Sequence, residues 1–238
     1  LFSGIGGFAL AARWAGFETI GFCEIDKYCQ KVLKKNFPDV PIYEDVTKLN
    51  GNRFKDIYLI TGGFPCQDIS VSNTKGKGIN GERSGLWSEL HRIISEVRPK
   101  YALIENVPAL TVRGGTKVIA DLTSIGYDTE WQIVGADDVG AWHRRKRIWI
   151  VAYPRCEYGE KRELCKIKIQ EWNPSSFSKR LVHSRSRTKT ATRILRNFNG
   201  LPYRVDRPNR LKGLGNSICP QVAYEIMKGI YDGNINAD

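Results

Sequence analysis

Long apolar runs are missing from this chain. No stretch of about 18 apolar residues occurs, so no membrane-spanning helix is expected. No secretory signal is visible either, in a chain that opens on Leu1 rather than on methionine. Metal-ligand spacing is also missing. The six cysteines (Cys23, Cys29, Cys66, Cys156, Cys165 and Cys219) include no C-x-x-C pair, and the three histidines are scattered. Cys156 and Cys165 come nearest to such a spacing, but no second pair matches them. The pattern argues against a zinc site and for reduced thiols in a cytoplasmic setting. There is no internal repeat. Acids are scarce relative to bases: 37 Lys and Arg stand against 25 Asp and Glu, a net charge of +12. A charge of that sign attracts polyanions. Its concentration between Arg144 and Arg210 favours a nucleic-acid face over diffuse solubilising charge.

What is present reads as an α/β chain. Its 238 residues suffice for one sizeable domain or a domain with a small appendage. Ile57-Tyr58-Leu59-Ile60 reads as a buried strand, followed by Gly62-Gly63-Phe64-Pro65-Cys66-Gln67. The glycines permit a sharp turn and Pro65 stiffens the backbone before a thiol. Cys66 therefore stands at the carboxyl end of a strand, where open α/β sheets place their chemistry. A buried structural cysteine is the plain alternative for this residue type.

Other strand ends carry polar groups in succession. Leu1-Phe2-Ser3-Gly4-Ile5-Gly6-Gly7-Phe8 reads as a strand end, a glycine turn and a helix to about Ala15. Thr19 to Glu24 reads as a second strand, followed by a helix from Lys27 to Asn36. A third, Pro41 to Val46, contains Asp45. Glycines, then an acid roughly 20 residues on, suit an adenosine-containing ligand with a ribose diol. Ser70 to Gly85 is a polar, glycine-rich loop that reads as a lid, or else as plain solvated surface. The spacing then predicts a helix over 86–97, a strand over 100–107 ending in Glu105-Asn106, a helix over 116–125, and strands over 128–134 and 147–152. Arg144 to Arg147 leads straight into the last of these, which places its arginines near the sheet edge. From Tyr153 to about Arg210 apolar periodicity fades and bases, Ser and Asn dominate. The chain recovers at Leu211 to Gly215, with a final helix expected over 221–230.

Taken together and in order, these motifs resemble those of the DNA cytosine-5 methyltransferases. Phe2-Ser3-Gly4-Ile5-Gly6-Gly7 looks like their cofactor motif, Gly62 to Gln67 like their catalytic motif, and Glu105-Asn106-Val107 like their Glu-Asn-Val. Arg144 to Arg147 is similar to their Gln-x-Arg-x-Arg. Gly215-Asn216-Ser217 with Pro220-Gln221-Val222 is similar to their closing motif. The match covers about 1–152 and 204–230. The sequence departs from the pattern in three places. The acid that often precedes the Leu1 position is absent, His143 stands where Gln is usual, and only about 50 residues separate Ala152 from Arg204.

The resemblance implies a Rossmann-like S-adenosylmethionine-dependent methyltransferase sheet with a small basic target-recognition region. The divisions expected are 1–152 for cofactor and catalysis, 153–204 for recognition, and 205–238 returning to the catalytic domain. It further implies a cofactor site of Phe2, Ser3, Gly4, Ile5, Gly6, Gly7, Glu24, Ile25, Asp45, Val46, Pro65, Asn216 and Ser217, with Glu24 on the ribose and Asp45 on the adenine amine. Cys66 is the implied nucleophile, with Glu105, Arg145 and Arg147 activating the base; Gln67, Ser70, Ser72, Arg83 and Arg144 are the implied DNA contacts. The partner implied is double-stranded DNA, bound by a monomer in a bacterial or phage-infected cytoplasm, with a cognate restriction endonuclease in attendance. Three other readings compete: methylation of a tRNA loop, a non-catalytic DNA-binding protein, and an oxidoreductase with a Rossmann half. The DNA-type Phe64-Pro65-Cys66-Gln67 disfavours the first. The joint presence of Cys66, Glu105 and Arg147 disfavours the second, and the third leaves Pro-Cys and Glu-Asn-Val unexplained.

Overall fold

The computed structural model describes residues 1–65, 85–141, 143–155 and 207–235. Six strands and seven helices organise them. Helix α1 (Gly7–Trp14), strand β1 (Phe22–Cys23), helix α2 (Lys27–Asn36) and strand β2 (Ile42–Tyr43) come first. Then follow β3 (Leu59–Gly62), α3 (Gly85–Val97), β4 (Tyr101–Asn106), α4 (Leu110–Arg113), α5 (Gly115–Ser124), β5 (Tyr127–Val134), β6 (Arg147–Pro154), α6 (Arg207–Asn216) and α7 (Pro220–Ile235). None of these helices is long and apolar enough to cross a membrane.

The main sheet has the order β3-β4-β6-β5. β3 and β4 run parallel, whereas β6 is antiparallel to both of its neighbours. Alternation along the central strands sorts side chains to two faces. Tyr101 and Leu103 of β4 join Trp149 and Val151 of β6 in a core with Phe8 and Ala11 of α1 and with Val222, Ala223, Met227 and Ile230 of α7. Ala102 and Ile104 join Ile148, Ile150 and Ala152 in a second core, covered by Trp87, Leu90 and Ile94 of α3 and by Val118 and Leu122 of α5. Helices on both faces are why β4 is a continuous buried run. β5 lies at the edge and leaves Trp131 and Ile133 exposed.

β1 and β2 form a separate parallel pair, with Phe22 opposite Ile42 and Cys23 opposite Tyr43. The sequence predicts longer strands here. Capping chemistry cuts them short: Asp26 accepts the Tyr28 and Cys29 amides to start α2, and Asp45 accepts the Thr47 amide to start a 3-10 turn, Val46–Lys48. Between the two sheets lies a cleft of about 470 Å³, walled by Thr19 to Phe22 on one side and Ile57 to Thr61 on the other. Leu1 and Ser3 also line it. The Leu1 nitrogen donates to the Thr61 carbonyl (2.7 Å) and the Ser3 amide to the Cys23 carbonyl (3.1 Å).

Helix α6 is a second departure, since the sequence around it shows little apolar periodicity. Gly213 explains its placement: a β-carbon there would stand 3.1 Å from Ile5 and 3.6 Å from the Tyr28 ring, so the helix approaches the first turn closely. α4 is likewise absent from the sequence reading. β6 lies inside the sheet, so the sheet edge near which the arginines before it sit is the one at the carboxyl end of β4.

Candidate active site

Glu105 and Asn106 are the buried polar side chains among the described core residues, 9% and 3% exposed. Both end β4, where the apolar run stops. Antiparallel pairing sets Ile148 opposite Asn106, which brings the first residue of β6 alongside the carboxylate. Arg147 Nε lies 2.9 Å from Glu105 Oε1. Burial raises the Glu105 pKa above the ordinary glutamate range, and Arg147 and then Arg145 hold it back.

The turn after β3 is fitted to this carboxylate. A β-carbon at Gly63 would lie 3.1 Å from Glu105 Oε2, so the bare glycine backbone gives this close approach room. Asn106 Nδ2 donates to the Phe64 carbonyl (3.3 Å), and its Oδ1 accepts the Val107 amide (2.7 Å). The Phe64 ring is buried and tilted against Trp87 at 5.4 Å. The backbone is thus anchored up to Pro65. Cys66, Gln67, Ser70, Ser72 and Arg83 lie outside the described residues, as does most of the expected recognition region.

The glycine turn forms a second wall. Phe2, Gly4 and Gly6 all have positive φ (53°, 52° and 92°). For Phe2 that left-handed conformation costs about 1–2 kcal/mol, so the surroundings hold it there. Gly4 donates to Glu24 Oε2 (2.7 Å) and Asp26 to Glu24 Oε1 (2.8 Å). Each carboxylate oxygen keeps acceptor capacity beyond the amide it receives, and a β-carbon at Gly4 would face open space. A diol donating to Glu24 beside a bare glycine backbone fits this arrangement. Asp45 lies two residues past the neighbouring strand β2, its pKa lowered chiefly by the Thr47 hydroxyl (2.7 Å) and amide. Ile25 is exposed and Val46 is buried.

The C-terminal segment completes the wall. A β-carbon at Gly7 would lie 2.7 Å from Ile218 and 3.1 Å from the Ser217 hydroxyl. Lys212 pairs with Asp26 at 2.9 Å. Arg145, also at positive φ, donates through Nη2 to the carbonyls of Gly215 (2.8 Å) and Ser217. Burial, then Arg147, lowers its pKa.

The structure therefore brings together Gly4 with Glu24, Gly7 with Ser217, Glu105 with Arg147, and Arg145 with the closing segment. Ile5 lies against α6 through Gly213, and Asn216 ends that helix, exposed. Arg144 is exposed as well. The sequence reading assigned no role to Asn106; a polar residue closing an otherwise apolar buried strand was the signal available.

A family model described as C-5 cytosine-specific DNA methylase matches residues 1–199. The chain belongs to the C-5 cytosine-specific DNA methylase family. Among its relatives, the type II methyltransferase M2.BsuMI of Bacillus subtilis is 39% identical over 160 residues, covering 64% of this chain and 40% of the relative. M.HhaI of Haemophilus parahaemolyticus is 34% identical over 157 residues, covering 64% and 47%. The chain thus spans less than half the length of these two methylases. A solved structure, a putative DNA modification methyltransferase encoded within an E. coli prophage, superposes with a TM-score of 0.54 at 30% identity, over 64% of this chain and 45% of that one. Dnmt2 of S. pombe, at 21% identity and a TM-score of 0.55 over 66% and 49%, shares the methylase fold.

Proposed function

We propose that the chain transfers a methyl group from S-adenosylmethionine to carbon 5 of a cytosine in double-stranded DNA, with Cys66 as a covalent nucleophile. The observation that carries this reading is the buried Glu105–Arg147 pair (2.9 Å) at the end of β4, with the turn that leads to Cys66 packed on it through Gly63. The family membership agrees with it. In this reading 1–152 binds cofactor and catalyses, 153–204 reads the target, and 205–238 returns to close the site.

Glu24 would hold the ribose hydroxyls and Asp45 the adenine amine, with the glycine turn beside the methionine part. When bound, the cofactor supplies an electrophilic methyl group. Carbon 5 of cytosine is a poor nucleophile on its own. Addition of the Cys66 thiolate to carbon 6 forms the S–C bond and pushes the ring electrons toward nitrogen 3, leaving carbon 5 enamine-like. Glu105 would meet that change by giving a proton to nitrogen 3. A carboxyl whose pKa is raised by burial is suited to carry one. Arg147 holds Glu105 in place and would take up its charge once the proton has moved. After methylation a base takes the carbon 5 proton, the freed electron pair re-forms the C5–C6 double bond and expels Cys66 as thiolate, and nitrogen 3 gives its proton back to Glu105. The reacting face of the base is buried in the duplex stack, so the cytosine must flip out first.

The test is a trap. Fluorine at carbon 5 cannot leave as a proton, so a duplex carrying 5-fluorocytosine at its target should give a protein–DNA adduct stable in a denaturing gel. The adduct should require S-adenosylmethionine and vanish in Cys66→Ser, because a serine hydroxyl is not ionised near neutral pH. An adduct that survives Cys66→Ser would assign the nucleophile elsewhere. No adduct on DNA that this chain demonstrably methylates would exclude the covalent route.

A further inference from the structure

One charged cluster lies outside the site described above and touches its wall. Arg92, in the middle of α3, points at the loop that follows Asp45. Its Nη2 donates to the Val46 carbonyl (2.8 Å) and its Nη1 to the Leu49 carbonyl (3.0 Å). The remaining donors are taken on its own helix. Nε and Nη2 bond Glu89 Oε2 (2.9 and 2.7 Å), and Nη1 bonds Glu96 Oε1 (2.8 Å). All five guanidinium N–H groups are thus used, two of them on the loop. Glu96 adds a second tie, its Oε2 accepting the Gly51 amide (2.7 Å). At Gly51 a β-carbon would lie 2.8 Å from the Glu96 side chain, so loop and helix are in close contact.

This loop has little regular structure, and its apolar anchors are Val46 and Leu49, buried against Cys23 and Ile93. β2 is two residues long, and the segment then runs through two 3-10 turns, Val46–Lys48 and Gly51–Arg53. Asp45 opens the first of them. Its Oδ1 is committed to the Thr47 amide and hydroxyl, while Oδ2 faces the exposed Lys48 at 3.8 Å. The direction of Oδ2 therefore follows the path of the 46–51 backbone; Val46 and Leu49 hold that loop against the helix by apolar packing, and Arg92 and Glu96 supply the polar ties that set where its carbonyls and the Gly51 amide lie.

We propose that Arg92 is a positioning residue for the cofactor: it holds the 46–51 loop so that Asp45 Oδ2 is aimed at the adenine amine. The inference rests on the cofactor reading above, and it assigns Arg92 no contact with either substrate. Only a planar fork reaches two carbonyls and two carboxylates at once. A lysine has its three donors on one atom and cannot replace it.

The experiment is a double-mutant cycle on the full chain, read by calorimetric binding of S-adenosylmethionine. Asp45→Asn keeps an Oδ1 for the Thr47 cap and replaces only the outward acceptor. It should weaken binding roughly tenfold, the scale of one lost hydrogen bond to a group with no other partner. Arg92→Lys should weaken it by a similar factor in the parent chain, but by less than about twofold in the Asp45→Asn background, because coupled residues are not additive. The rate at saturating cofactor and the affinity for DNA should be unchanged, so the effect falls on KM and not on kcat. Equal weakening by Arg92→Lys in both backgrounds would mean a general structural role and overturn the proposal; so would full affinity in Arg92→Lys beside a weakened Asp45→Asn. Parent chain that binds no S-adenosylmethionine would overturn the cofactor reading together with this one. If Arg92→Lys does not fold, Glu96→Gln serves in its place, with about threefold weakening that likewise disappears in Asp45→Asn. Persistence of that weakening there would overturn the proposal.

Discussion

Glu105 is a carboxyl group with conflicting surroundings. Burial disfavours its charge, and Arg147 at 2.9 Å, with Arg145 behind it, favours it. The balance lies on the side of burial, so the folded protein binds this proton more tightly than the unfolded chain does. Linkage then fixes the sign. As pH rises from the ordinary glutamate range, about 4.3, through the raised folded value, the unfolded state releases its proton first, and this group's contribution to stability falls. Glu105→Gln should flatten that part of the stability curve, seen as urea midpoints measured across the acid-to-neutral range. A parent curve with the same slope as the mutant would show that Glu105 titrates normally. The residue was legible in the sequence because an acid closed an apolar run. Its partner Arg147 was implied by the family resemblance alone; the pairing itself could not be read from the residues, since antiparallel alignment of β4 with β6 is a long-range fact.

At the scale of elements, the first helix and the segment before α7 meet through a glycine. Gly7 has no room for a β-carbon, with Ile218 at 2.7 Å and Ser217 at 3.1 Å. Gly7→Ala should therefore cost about 1–3 kcal/mol, the range for overpacking a fitted contact. It should weaken S-adenosylmethionine binding too, because candidate cofactor residues lie on both sides of the contact. Adding Ile218→Ala should recover stability, as chemical denaturation would show; no recovery would place the strain elsewhere. The helices α1, α2, α3 and α5 and the four strands β3 to β6 could be read from periodicity; the order of those strands and the antiparallel run of β6 could not. The two-residue length of β1 and β2 could not, because side-chain caps at Asp26 and Asp45 end them rather than any change in apolar pattern. Helix α6 was hidden for a related reason: contacts with Ile5 and Tyr28 and the Lys212–Asp26 pair place it, not an apolar stripe of its own. Arg92 drew no reading from the sequence, where it is one charge on the polar face of a helix; the loop carbonyls it holds are visible only in three dimensions.

For the molecule as a whole, charge sets the expectation. A net charge of +12, carried mainly by the stretch from Arg144 to Arg210, should bind DNA largely through phosphate neutralisation. Affinity should then drop by a factor on the order of 10³ between 50 and 200 mM salt, if six or more phosphates are engaged. Fluorescence anisotropy of a labelled duplex across a salt series would measure the slope. A shallow slope would mean that few phosphates are gripped and that the basic stretch serves another purpose.

The candidate site is stitched from segments far apart in sequence. Lys212 reaches Asp26 across 186 residues, Arg145 holds the carbonyl of Ser217 across 72, and α7 packs on α1. Contacts of such sequence separation form late, because the loop-closure entropy must be met before they contribute. On a ribosome the order is stricter still. The glycine turn and the Glu105 strand emerge first, and they wait without their closing wall until residues 212–227 have been made. A half-synthesised chain thus presents the glycine turn and the Glu105 strand as an open half-site, and the candidate site exists as a whole only after residues 212–227 have joined it.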